Sequence, residues 1–145
     1  MNKSLEPIHI LIVEDNPGDA RLAVEALTER EITNNISIVK DGVEAISFLR
    51  RENAYLDAPR PDLILLDLNL PKMNGKDVLA IIKNDPDLKR IPVIILTTSD
   101  SSQDISATYE LQANCYINKP VGFDQFITVI QSVENFWLGV VKLPK

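Results

Sequence analysis

The sequence predicts an α/β protein in which five helices are wound over both faces of one five-stranded parallel sheet. Three observations predict it. Short β-rich apolar runs alternate with helical periodicity along the whole chain, the mark of successive βαβ units. The run Leu63-Ile64-Leu65-Leu66 is apolar at every position, the pattern of a strand covered on both faces. A length of 145 residues accommodates one domain with its own core but not two ordinary ones. That domain is expected to span 1–145, with its core at about 7–137 and a C-terminal extension at 138–145.

Each element has a local reason. The first strand is expected near Ile8 to Val13. Asn16-Pro17 then joins an N-cap residue to a proline at the first helical position and starts a helix near Pro17 to Arg30. A second strand falls near Ile36 to Val39, and Asp41-Gly42 opens a helix near Val43 to Arg51 from a tight turn. The longest irregular piece, Asn53 to Pro61, leads into the third strand, Leu63 to Leu66. Asp67 follows that strand, and Pro71 stops it. A helix near Lys76 to Asn84, a strand near Val93 to Leu96, a helix near Gln103 to Gln112, a strand near Cys115 to Ile117 and a helix near Asp124 to Trp137 complete the order.

Composition narrows the function. The chain is 45% hydrophobic and 25% charged, as soluble folds are, and its net charge of −6 argues against nucleic-acid binding. The first residues lack the apolar core of a secretion signal and no apolar run approaches a membrane span, so a cytoplasmic location without membrane contact is expected. Cys115, alone, excludes an internal disulfide and reads as a buried small hydrophobe. His9, at the start of the first strand, lies far from the strands' carboxyl ends and reads as structural or exposed, not as a phosphodonor or metal ligand.

Right-handed crossovers leave few topologies for such a chain, and the flavodoxin-like order 2-1-3-4-5 is a common one. It sets Glu14-Asp15, just beyond strand 1, opposite Asp67, just beyond strand 3, across one strand spacing of roughly 5 Å. Carboxylates this close must keep a proton or hold a cation, and an oxygen-only ligand set suits Mg²⁺. With the metal bound, Asp67 can receive a phosphoryl group by positioning and electrostatics. Thr97 ends strand 4 and offers a hydroxyl to a phosphoryl oxygen. Lys119 ends strand 5, and its long stem can cover most of the roughly 10 Å of two strand spacings. Singly, these residues read as a loop aspartate, a solvated acidic turn, a strand-end hydroxyl and a surface lysine; together they read as a site.

In these residues and their spacing the chain resembles the receiver domain of two-component response regulators, with a CheY-like fold, over nearly its whole length. The resemblance implies that Glu14 and Asp15 are the family's acidic pair, Asp67 its phosphoacceptor, Thr97 its switch hydroxyl and Lys119 its phosphoryl counter-ion. It also implies that Asn69 gives its backbone carbonyl to Mg²⁺ and that Tyr116 is the aromatic whose rotamer reports phosphorylation, although an aromatic in strand 5 is often core. The Lys119-Pro120 bond is often cis in this family. The implied function is signalling, not metabolic catalysis: phosphotransfer from a sensor histidine kinase to Asp67, then slow autodephosphorylation.

Three features depart from the common pattern. Thr98 stands where the family usually has alanine or glycine, and it narrows access to the phosphoryl group. The long loop Arg51 to Pro61 and the segment Asn135 to Lys145 are similar to small receivers paired with bacterial phytochrome histidine kinases, especially cyanobacterial ones. Independently, Phe123, Phe126, Ile127, Val129, Ile130, Val133, Phe136 and Trp137 exceed one helical stripe, so the last helix needs a second apolar partner. A homodimer through strand 5, helix 5 and the tail is expected, with the tail folding back on its own domain as the competing arrangement. A phosphorylation-independent interaction module and an aspartyl-nucleophile phosphatase remain as alternatives. Against the phosphatase, Asp67-Leu68-Asn69 lacks a second aspartate for acid/base work. A flavin binder is disfavoured by the acidic rim.

Overall fold

The computed structural model describes residues 8–27, 35–99, 101–139 and 143–144. In chain order the elements are β1 (His9–Val13), α1 (Pro17–Leu27), β2 (Asn35–Val39), α2 (Gly42–Arg50), β3 (Leu63–Leu66), α3 (Gly75–Asn84), β4 (Val93–Thr97), α4 (Ser102–Glu110), β5 (Cys115–Asn118) and α5 (Phe123–Gly139). All strands pair in parallel, in the order β2-β1-β3-β4-β5. The five expected strands and five helices are present, and β1 and β3 are neighbours as the topology requires.

Side-chain alternation along the central strands divides the core. Leu11, Val13, Ile64, Leu66, Val93 and Ile95 face a cluster with Phe48, Val78 and Leu79 of α2 and α3. Ile10, Ile12, Leu63, Leu65, Ile94 and Leu96 face the other way, toward Ala23, Leu27, Phe126 and Ile130 of α1 and α5. Burying each large aliphatic side chain stabilises the fold by roughly 1.5–3 kcal/mol before the entropic cost. Because both faces are covered, β3 can be apolar throughout, and all four of its residues are buried.

Caps place the helix starts. Asp41 accepts from Glu44 N at 2.8 Å, Asn74 from Asp77 N at 3.0 Å and Ser101 from Asp104 N at 3.2 Å. Two helices end earlier than their periodicity suggests. Arg51 takes a left-handed conformation (φ 55°), with Arg51 N bonded to Phe48 O and Glu52 N to Ser47 O, so α2 stops at Arg50. Gln112 does the same at φ 71°, and α4 stops at Glu110. The expected end of α1, at 28–30, lies outside the described residues. The piece from Asn53 to Pro61 is not wholly irregular. It opens with a 3-10 turn at Asn53–Tyr55, from which Tyr55 packs on Phe48 at 5.4 Å and donates its hydroxyl to Glu44 at 3.1 Å.

Two further expectations are corrected. Cys115 is half-buried, because β5 is an edge strand; that burial still pushes its thiol pKa up. The Lys119-Pro120 bond is trans, the form an X–Pro bond favours intrinsically by roughly 0.5–1 kcal/mol. His9 is half-buried at the far end of β1, where its N–H donates to Asp62 Oδ2 at 3.0 Å. Among the described residues no helix is long and apolar enough to cross a membrane.

One close approach sets the position of the segment after β3. A Cβ on Gly75 would lie 2.3 Å from Asp67 O and 2.6 Å from Leu68 Cα, both backbone atoms that cannot rotate away. Gly75→Ala is therefore expected to destabilise the protein by roughly 1–3 kcal/mol, read as a lower urea midpoint. An unchanged midpoint would contradict this packing.

Candidate functional site

Four strands deliver the site residues to the carboxyl edge of the sheet, where ligands of open α/β folds bind. The ladder continues one residue past β1, β3 and β5: Glu14 N donates to Val39 O at 3.0 Å, Asp67 N to Val13 O at 3.1 Å and Lys119 N to Thr97 O at 2.6 Å. Glu14, Asp67 and Lys119 are thus held by backbone bonds in register with their neighbours, and all three are buried. Asp15 follows Glu14 and is exposed. Glu14, Asp15 and Asp67 each bring an oxygen to within 4.8 Å of the others.

Lys119 closes the group from β5. Its Nζ donates to Glu14 Oε1 at 2.6 Å, Asp19 Oδ2 at 3.0 Å and Asp67 Oδ2 at 3.2 Å, so its three protons meet three carboxylates. Asp67 Oδ1 accepts from Asn69 N at 3.1 Å, and Glu14 Oε2 from Asn16 N at 3.1 Å. Asp19 is the residue that sequence reasoning missed. In the sequence it reads as an acidic complement to the α1 dipole, and only the fold turns it toward Lys119. The available signal was its place in the first turn after Asn16-Pro17, directly behind the acidic pair.

Electrostatics follow from this packing. Burial raises the Glu14 pKa most strongly, the hydrogen bond and charge of Lys119 oppose it, and the Asp67 charge adds to it; the result is about 7. Burial alone would lower the Lys119 pKa, but the carboxylates of Glu14, Asp67 and Asp19 outweigh it, and the ammonium is held above its ordinary range. The pocket is poor in positive charge relative to its carboxylates, which suits a hard cation.

Thr97, Asn69 and Tyr116 form the second part of the site. Thr97 is fully buried, and its Oγ1 accepts long contacts of 3.5 Å from Asn69 Nδ2 and Ser99 N. Among the described residues it makes no hydrogen bond to Asp67. Tyr116 is half-buried and donates its hydroxyl to Ser99 O at 2.7 Å, which ties β5 to the segment after β4. Asn118 Nδ2 reaches the same carbonyl at 3.2 Å. Thr98 is exposed beside Thr97. Of the seven residues singled out in the sequence, Glu14, Asp15, Asp67, Asn69, Thr97 and Lys119 lie along the carboxyl ends of β1, β3, β4 and β5, and Tyr116 stands within β5, opposite Ile95.

Comparison with known proteins gives one result. The response regulator receiver domain family matches residues 10–131. Response regulator Rcp1 of Synechocystis sp. is 48% identical over 143 residues, covering 99% of this chain and 97% of that protein. The phosphorylated cyanobacterial phytochrome response regulator RcpA superposes with a TM-score of 0.95 at 48% identity, over 97% of this chain and 100% of the other. The Mn²⁺-bound form of Rcp1 gives a TM-score of 0.93 at 48% identity, over 96% of this chain and 100% of the other.

The raised Glu14 pKa has a stability consequence. A carboxyl that holds its proton more tightly when folded stabilises the native state fully below its unfolded pKa, and that contribution is lost as pH rises through the folded pKa. For Glu14 the window runs from the ordinary 4.5 to about 7, and the loss is on the order of a few kcal/mol. In metal-free buffer with chelator, wild-type stability should fall across this window relative to Glu14→Gln. Parallel urea-derived profiles for the two proteins would refute the assignment.

Proposed function

The chain belongs to the response regulator receiver family, and from that premise we propose that it accepts a phosphoryl group on Asp67 from a sensor histidine kinase. The single observation that carries this reading is the convergence of Glu14, Asp15 and Asp67 oxygens within 4.8 Å, with buried Lys119 bonded to Glu14 and Asp67. Relatives at 48% identity are the phytochrome response regulator RcpA and Rcp1, which supports a phytochrome as the kinase.

In the proposed reaction an Asp67 carboxylate oxygen attacks the phosphorus of a phosphohistidine. The P–N bond breaks, and its electron pair leaves with the imidazole. Lys119 stays beside Asp67 and offsets the added charge, while the Thr97 hydroxyl turns from Asn69 to a phosphoryl oxygen. Water later attacks the same phosphorus, releases inorganic phosphate and restores the Asp67 carboxylate. Glu14, Asp15, Asp67 and the Asn69 carbonyl would hold Mg²⁺, a hard ion matched to their all-oxygen donor set. Bound there, it would neutralise charge on the transferring oxygens. The Mn²⁺-bound form of the relative Rcp1 supports a divalent site. Tyr116, already bonded to the segment that Thr97 leads, would couple this event to the surface of α4, β5 and α5.

A homodimer through β5, α5 and the C-terminal segment belongs to the same proposal. Part of α5's extra apolar surface is taken up by α1. Val121, Phe123 at 57% and Phe136 at 53% nevertheless remain exposed, and Phe136 stands edge-on to Trp137 at 5.8 Å. Residues 140–142 and 145 of the C-terminal segment lie outside the described residues.

Two measurements test these readings. Incubation with acetyl phosphate and Mg²⁺ should add one phosphoryl group by intact mass to the wild type, and none to Asp67→Asn or in the presence of EDTA. A wild type that takes no adduct would leave the phosphorylation-independent interaction module. In sedimentation velocity at micromolar concentration the wild type should run as a dimer and Phe136→Asp should shift toward monomer; a monomeric wild type removes the dimer.

A further inference from the structure

The segment between β4 and α4 is held from two sides. On one side, the Ser99 carbonyl accepts from the Tyr116 hydroxyl at 2.7 Å and from Asn118 Nδ2 at 3.2 Å. On the other, the Ser99 hydroxyl donates to Asp104 Oδ2 at 2.6 Å. The second oxygen of Asp104 is paired with the ammonium of Lys76 at the start of α3. Lys76 follows Gly75, whose backbone packs on the carbonyl of Asp67 itself. A continuous chain of contacts therefore runs from the phosphoacceptor position through α3, Lys76, Asp104 and Ser99 to Tyr116.

We infer that Lys76 and Asp104 are positioning residues that fix Ser99, so that its carbonyl receives the Tyr116 hydroxyl and its N–H stays on Thr97, and that they thereby set the rate at which Asp67 is phosphorylated. The inference rests on the receiver reading of the site. An exposed ion pair usually contributes little, because two long side chains must be ordered to form it. Here one partner is already ordered. Asp104 lies in the first turn of α4, its N–H is bonded to the Ser101 cap, and its side chain is only 23% exposed. The hydrogen bonds from Lys76 and Ser99 also hold its carboxyl below the usual range. The tie supports the arrangement in which Tyr116 is bonded to the loop, so losing it should leave Thr97 and Tyr116 less well placed. Phosphotransfer should then slow.

The test uses the full chain labelled with 3-fluorotyrosine, with the Tyr116 ¹⁹F resonance assigned through Tyr116→Phe. Phosphorylation by acetyl phosphate is followed by intact mass in Lys76→Met, Asp104→Ala, the double variant and Lys76→Arg. Thermal melts establish that each is folded. Lys76→Met should slow the reaction by roughly three- to tenfold, the effect of losing one hydrogen bond, and Asp104→Ala, which loses the bonds from both Lys76 and Ser99, by at least as much. Both should shift the Tyr116 resonance before any phosphate is added. The double variant should be no slower than Asp104→Ala, and Lys76→Arg should restore the wild-type rate and resonance. Wild-type rates with an unmoved Tyr116 resonance in the single variants would overturn the tie. A wild type that takes no phosphate would overturn the phosphoacceptor reading and the effect on rate, while the resonance would still decide whether Lys76 and Asp104 position the loop.

Discussion

The buried ammonium of Lys119 is the interaction on which the site depends. Glu14 and Asp67 are brought to adjacent positions by the ladder between β1 and β3, and neither can escape to water. Without a cation between them, the same backbone bonds that make the sheet would press two carboxylates together in a poorly solvated place. Lys119 resolves this by donating to both, and to Asp19 as well. Removing one member of such a buried group is costly because it strands the others, although the group as a whole adds little net stability. Its value is positional: it keeps charged groups at a sheet edge that would otherwise have to fold away or take up protons.

That arrangement also explains why the edge is suited to a transient phosphoryl group. Three carboxylates around one ammonium leave negative charge in excess, while burial, with a smaller push from the Asp67 charge, raises the Glu14 pKa to about 7. In the proposed reaction a divalent cation and a phosphoryl group would bring charges of opposite sign to a pocket whose carboxylates and ammonium are already in place. Little reorganisation is needed, since the oxygens are held by β1 and β3 and the ammonium by β5. The neighbouring hydroxyl of Thr97 is held less tightly, at 3.5 Å from each of its two donors. The rigidly bonded groups are those that bind charge, and in the proposed reaction the less tightly bonded hydroxyl is the one that turns.

The proposed movement would be passed on through named bonds. Ser99 lies two residues beyond Thr97 and gathers bonds from β5 through Tyr116 and Asn118, and from α4 through Asp104. A shift of Thr97 toward Asp67 cannot leave these partners unaffected, because the intervening backbone is short. The site and the α4-β5-α5 surface are therefore joined by named hydrogen bonds, not by proximity alone.

Much of this was legible in the residues. Unbroken apolar runs such as Leu63 to Leu66 require cover on both faces, so a parallel sheet with helices on each side follows from the hydrophobic effect and strand periodicity. Acidic residues directly after strands 1 and 3, a threonine after strand 4 and a lysine after strand 5 must share an edge once the order is 2-1-3-4-5. Other features depend on three-dimensional placement. Asp19 is an ordinary first-turn acid until α1 packs beside β5's Lys119. The ends of α2 and α4 are set by left-handed residues, Arg51 and Gln112, whose side chains do not favour that conformation as glycine would. The pairing of Lys76 with Asp104 joins two helices distant in sequence. Local chemistry and periodicity thus determined the elements and the edge at which the chemistry sits; packing between elements alone decided which side chains meet across it, because pairwise contact depends on distances that no single segment carries.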